Sequence, residues 1–151
     1  MDVPMQSRTK TSADFEWKNE EEYYTFLGNT FDVKKAKEII RKKPRQLIVV
    51  DITEIAKSVV RPVKTVDENG KEYTRYTIGH NVDWNKIDDD ETAIDLEMPV
   101  ILAQIKEPKS KEVFAWLIDG WHRVAKANEK GLVSLPGVLL TLPETKKCQY
   151  A

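Results

Sequence analysis

The spacing of apolar residues changes along this chain, and each change marks an element. Val33, Ala36, Ile39 and Ile40 recur at helical spacing behind Asp32, a good N-cap. Pro44 follows the basic run Arg41-Lys42-Lys43, so a helix is predicted between them. Further upstream, Asn19 and Glu22 form a capping-box pattern ahead of Tyr23, Tyr24, Phe26 and Leu27. Gly28 supplies a stop, which predicts a short helix there. Residues 15–45 are therefore expected to form an N-terminal helical cap. Residues 1–14 mix Ser, Thr, Lys and Gln without periodicity and read as a mobile lead-in.

Beyond residue 45 the period shortens. The β-branched content of Gln46 to Val50 predicts a buried strand. Asp51 or Thr53 then opens a short helix through Ile55, Ala56 and Val59 that Pro62 ends. Val63 to Val66 and Tyr73 to Ile78 alternate about Glu68-Asn69-Gly70, and Asn-Gly offers the positive φ angles of a tight hairpin turn. Residues 79–97 are acidic and poor in periodicity, which predicts a functional lid or an ordered excursion pinned by Trp84 and Ile87. Pro99 to Ile105 and Val113 to Ile118 read as strands joined by a charged turn. Residues 144–151 read as a polar tail containing Cys148.

Composition narrows the classes. With 151 residues the chain fits one domain, and 24 basic against 25 acidic residues give a net charge of −1. Binding to nucleic acid or an anionic membrane therefore has to come from a local patch. One cysteine forms no intrachain disulfide. The start Met-Asp-Val-Pro-Met has no basic n-region and apolar core, and no apolar run approaches the ~20 residues of a membrane span, so a cytoplasmic setting is expected. The chain also lacks a Gly-x-x-x-x-Gly-Lys-Ser/Thr loop, a Gly-x-Ser-x-Gly elbow and a cysteine–histidine set for zinc.

One chemical feature remains. The apolar strand Phe114 to Ile118 breaks at Asp119-Gly120 and passes into Trp121-His122-Arg123 and a helical pattern that ends at Gly131. Gly120, His122 and Arg123 thus stand at a helix start, where first-turn amides and the aligned peptide dipoles attract anions and an arginine fork adds a full positive charge. Phosphate is the natural ligand. In the order of strand, Asp119-Gly120-x-His122-Arg123, helix, Gly131 and closing strand at Pro136 to Leu142, the chain resembles the ParB/sulfiredoxin family. The likeness covers residues 46–143 and is sharpest over 98–142.

The resemblance implies an α+β domain with a small mixed β-sheet and flanking helices, here with an N-terminal helical extension. It also implies a Gly-x-(His/Arg)-Arg box that holds the phosphates of a nucleoside di- or triphosphate. Arg61 stands where family members carry a second phosphate-contacting arginine. Nucleotide hydrolysis, phosphotransfer to a free amino acid and nuclease activity all occur in the family. Small single-domain members carried by mobile elements act as inhibitors of transfer or as partner-binding proteins. Sulfiredoxins place a catalytic cysteine directly before the box histidine, where this chain has Trp121, so sulfinic acid reduction is not expected. Ending at Ala151, the chain is also expected to lack the helix-turn-helix region of partition-type ParB proteins.

Several residues carry two readings. Asp119 caps the helix, or it contacts Mg²⁺ or a ribose hydroxyl; Trp121 packs inward or stacks a base. Arg61 and Lys64 contact phosphate or are solvated. Asp88, Asp89 and Asp90, with Glu91, offer hard oxygen ligands to Mg²⁺ or form a solvated loop, and their spacing fits no defined metal motif. His80 and Asp83 form an acid–base pair or two unrelated loop residues. Lys34-Lys35 and Arg41-Lys42-Lys43 track a DNA backbone, or they solubilise a helix beside nearby glutamates. Non-catalytic binding of a protein or nucleic acid through that helix is the alternative to nucleotide chemistry.

Overall fold

The computed structural model describes residues 10–26, 28–75, 80, 82–89 and 94–150. These build an α+β chain with three small sheets and five α-helices. It divides into two compact units, one of Met1–Val50, Glu97–Gly120 and Pro136–Ala151, the other of Asp51–Leu96 and Trp121–Leu135.

The first unit centres on a mixed sheet of β3 (Ile48–Asp51), β8 (Ser134–Leu140), β6 (Val100–Lys106) and β7 (Val113–Asp119), in that order; the division falls within the ends of β3 and β8. β6 runs antiparallel to β7 and parallel to β8. As an inner strand, β6 reads Val-Ile-Leu-Ala-Gln-Ile-Lys and buries Val100, Ile101, Ala103 and Ile105. β3 is the edge strand. Only its Val50 is buried, while Ile48 and Val49 are exposed, so the strand expected to be buried throughout is half open.

A second sheet of β1 (Tyr23–Phe26), β2 (Asn29–Asp32) and β9 (Gln149–Tyr150) is antiparallel. α1 (Val33–Lys42) follows, with the Asp32 carboxylate accepting the Lys35 N–H as the predicted cap. Its buried Val33, Ala36 and Ile40 join Phe31, Ile101, Ala103, Ile118, Val138 and Leu140 in one apolar core. Burying each of the valine, leucine, isoleucine and phenylalanine side chains among them contributes about 1.5–3 kcal/mol.

Three expectations in this unit are corrected. The stretch Tyr23–Asp32 is a hairpin turning at Gly28 (φ +76°), not the helix read from Asn19 and Glu22, so the N-terminal cap is a sheet followed by one helix. Aromatic and β-branched residues favour a pleated surface, and Phe26 stacks on Trp116 of β7 at 4.4 Å. Within the expected lead-in, Thr11 closes a 3₁₀ turn over Ser12–Asp14 with a capping box and Ser12 is buried, while residues 1–9 lie outside the described residues.

The expected polar tail is α5 (Leu142–Cys148) followed by β9. Thr141 and Glu144 make a capping box, and Arg45 grips the Glu144 carboxylate with both Nη atoms, at 2.6 and 2.8 Å. That guanidinium is the main cause that pulls Glu144 down to about 2. Cys148 lies in the core, where burial pushes its thiol up to about 11.

The second unit is built of short pieces. α2 (Thr53–Ala56) opens beside Asp51, whose carboxylate accepts the Thr53 N–H. β4 (Val63–Val66) and β5 (Glu72–Arg75) form an antiparallel hairpin that leaves Val63, Val66 and Tyr73 exposed. The predicted hairpin is present, but Asn69 takes no positive φ. Gly70 alone does, in a longer loop organised by the Asp67 carboxylate, which accepts the Asn69 and Lys71 N–H groups. The expected extension of β5 to Ile78 runs outside the described residues. α3 (Trp84–Asp88) and α4 (Trp121–Glu129) complete the unit, with Ile87, Trp121, Val124, Ala125 and Ala127 buried.

Candidate functional site

The turn into α4 follows from Gly120. β7 ends at buried Asp119, and Gly120 takes φ +111°, a backbone region that L side chains rarely enter, so the chain goes straight from strand to helix. Glycine brings no side chain to cap the helix. The first turn of α4 holds no carboxylate and carries His122 and Arg123, both half-buried. A helix start of this composition favours an anion through its dipole and its arginine. Trp121 packs inward at 8% exposure, and the His80 ring lies flat on it at 3.6 Å.

In the second unit the other candidate residues are drawn into a latch against α4. His122 Nε2 accepts the Asp83 backbone N–H at 3.0 Å, which in the neutral ring places the proton on Nδ1. The Asp83 carboxylate caps α3 by accepting the Asn85 N–H. Lys126 Nζ donates to the Ile87 carbonyl at 2.6 Å. Ile87 is fully buried and Trp84 half-buried, so the described part of 79–97 is the pinned excursion and not an open lid.

Arg61 closes the latch. Its two Nη atoms donate to both oxygens of Asp88 at 2.7 and 2.8 Å, Nη2 also donates to Glu129 at 2.8 Å, and the guanidinium lies 4.4 Å over the Trp84 ring. These hydrogen bonds raise the Arg61 pKa and lower that of Asp88. Arg61, expected to meet phosphate, and Asp88, one of the carboxylates that offered ligands to Mg²⁺, are here paired with each other. Each neutralises the other, because a planar fork and a carboxylate match in two parallel bonds.

The remaining candidates divide. His80 and Asp83 have different partners: His80 Nδ1 faces Ser58 Oγ at 3.2 Å, and burial lowers the His80 pKa. Asp89 follows α3, and Asp90 and Glu91 lie outside the described residues. Among the described residues, no group of three or more His, Cys, Asp and Glu is placed to hold a metal ion. Lys64 sits exposed on β4.

Asp119 belongs to the first unit and has a partner the sequence did not indicate. Its carboxyl faces that of Glu22, and Lys37 Nζ stands 3.6 Å from Glu22 Oε2. Burial first, and then the charge and hydrogen bond of Asp119, raise the Glu22 pKa against the pull of Lys37. A carboxyl whose pKa is raised in this way keeps its proton further up the pH scale, the property a general acid uses. No local pattern marks Glu22, since the contact joins the start of the first hairpin to the end of β7.

The chain matches no protein-family model, no curated protein and no solved structure.

Proposed function

We propose that this chain is a ParB/sulfiredoxin-like protein that binds the phosphates of a nucleoside di- or triphosphate at the start of α4. The observation that carries the reading is the turn itself: a glycine at positive φ feeds a helix whose first turn holds a histidine and an arginine and no carboxylate. Arg123 is the principal cation, His122 supplies a ring donor, and backbone amides cradle the phosphate. Hydrolysis, phosphotransfer or nuclease activity belongs to this reading as what the family resemblance implies; within the first unit, Glu22 beside Asp119 is a carboxyl with a raised pKa. Mg²⁺ enters this reading with the nucleotide, held chiefly by phosphate oxygens. A cytoplasmic setting belongs to the same reading. Among the described residues, no helix is long and apolar enough to cross a membrane.

A thermal-shift panel of ATP, ADP, CTP and GTP, each with and without Mg²⁺, tests it. A nucleotide at a hundred times its dissociation constant stabilises the fold by about 2.7 kcal/mol. Arg123→Ala is expected to weaken that binding by about 1.5–3 kcal/mol with the fold intact. Wild-type affinity in the variant, or no response to any nucleotide, rejects the reading.

A second reading is favoured by the latch. With Arg61 neutralised by Asp88 and Glu129, the anion site rests on fewer cations than the family pattern supplies. A non-catalytic module would instead use the exposed cations of α1 and the turn after it, Lys35, Arg41, Lys42 and Lys43, on DNA or a protein partner. Nucleotide-independent, salt-sensitive retardation of DNA supports this second reading.

A further inference from the structure

A cavity of about 400 Å³ opens within the first unit between the end of β6, the turn after it, Phe114 of β7 and α5. That volume lies at the small end of ligand pockets, about 300–1,000 Å³. Its wall is mainly apolar, supplied by Ile105, Phe114 and Leu142. Two cations border it. Lys106 and Lys146 are exposed, and neither ammonium has an ion-pair or hydrogen-bond partner among the described residues. Glu107, the acidic residue of the lining, turns its carboxylate to the Ser110 N–H in the following turn.

Thr145 adds an independent mark. It lines the cavity at 2% exposure, and its hydroxyl has no hydrogen-bond partner among the described residues. A buried hydroxyl without a partner carries its full desolvation penalty, so such groups are uncommon unless a bound species satisfies them. Threonine in a helix divides between two χ1 rotamers, and its Oγ1 and Cγ2 are close in size. Exchange between those rotamers is the route by which the hydroxyl would reach a molecule in the cavity.

We propose that this cavity binds a small amphipathic carboxylic acid, with its hydrocarbon body on Ile105, Phe114 and Leu142, its carboxylate between Lys106 and Lys146, and a hydrogen bond from Thr145. The site is separate from the α4 turn and does not depend on the nucleotide reading. The uncompensated pair of lysines selects an anion over a cation, and the apolar wall selects a chain or ring over inorganic phosphate.

Octanoate is the probe, followed by ¹H–¹⁵N spectra of the full chain, with octylamine and phosphate as controls. Octanoate is expected to give saturable shifts at residues 104–107 and 142–149, octylamine and phosphate none. Lys106→Ala with Lys146→Ala should weaken octanoate about tenfold or more, both lysines being exposed and dispensable to the fold. Thr145→Val should raise Tm by a few degrees and also weaken octanoate. Equal binding of octylamine, absence of saturable shifts at millimolar octanoate, or undiminished affinity in the double variant would overturn the proposal. So would a lower Tm in Thr145→Val, which would give the hydroxyl a structural partner. Shifts that depend on protein concentration and not on octanoate would overturn it too, assigning the cavity to a second copy of this chain.

Discussion

The two units solve the same problem by different means. In the first, long strands and α1 close on a continuous apolar core, and polar contacts such as Arg45–Glu144 finish the edges. In the second, α4, helices of four and five residues and an exposed hairpin surround a smaller apolar set. Contacts at or near the surface hold the described part of 79–97 there: Arg61 to Asp88 and Glu129, Lys126 to the Ile87 carbonyl, and Asp83 N–H to His122. Apolar burial is insensitive to salt and pH, whereas exposed ion pairs and histidine acceptors respond to both. The difference therefore predicts a rigid scaffold and a unit that opens locally first, and the proposed phosphate-binding turn leads into the one that opens.

The largest effect should come from the core. Leu140 is fully buried in the first unit, and Leu140→Ala is expected to cost about 2–5 kcal/mol, lowering Tm on the order of 5–15 °C in a single transition. Ile87 in the second unit is equally buried but sits on a five-residue helix. Ile87→Ala should cost less globally and appear mainly as faster hydrogen exchange around α3. If both substitutions shift Tm equally, the two units unfold as one and the contrast fails.

Next in size is the acid limit of the first unit. The Glu144 pKa is depressed from its ordinary 4.5 to about 2, so its stabilisation is fully present above about pH 4.5 and is lost as pH falls toward 2. Glu144→Gln removes the charged partner of Arg45. It is expected to cost about 1–3 kcal/mol at neutral pH and to flatten the fall in stability between those two values. An unchanged pH profile in the variant would show that the Arg45 fork holds nothing in place.

How much of this division the sequence carried can be seen residue by residue. α1, the strands β6 and β7, and α4 with Gly131 follow from local rules of period, cap and stop, and all stand where those rules put them. Tyr23–Asp32 misled because Asn19 and Glu22 mimic a capping box; pairing with β9, at the far end of the chain, makes it a strand pair. α5 had a legible signal, Thr141 with Glu144 three positions on, which the polar composition of the tail obscured. The latch was not legible. Arg61 meets Glu129 across 68 positions, and Glu22 meets Asp119 from a distant part of the chain, separations over which no local pattern carries information.

In the second unit, acid should act earlier. Burial lowers the His80 pKa from its ordinary 6.5, so the folded state favours the neutral ring. Stability is then present above about pH 6.5 and declines as pH falls below it. Hydrogen exchange at residues 83–89 is expected to accelerate between about pH 7 and pH 5, while β6 stays protected until the Glu144 range is reached. Loss of protection in both units at one pH would remove the distinction.

The smallest effect separates latch from scaffold most directly. Arg61 is 40% exposed in its side chain, and exposed ion pairs contribute little to global stability. Arg61→Ala should therefore barely move Tm. It should still speed exchange at Trp84–Asp88 several-fold, because the guanidinium is the group that ties Asp88, Glu129 and the Trp84 ring together. Raising the salt concentration on the wild-type chain should reproduce part of that acceleration by screening the same pairs, and should add little to the variant, where they are already gone. Exchange at β6 should be indifferent to either change. If salt acts equally on wild type and variant, Arg61 is not what holds α3, and Ile87 with Lys126 must carry the contact alone.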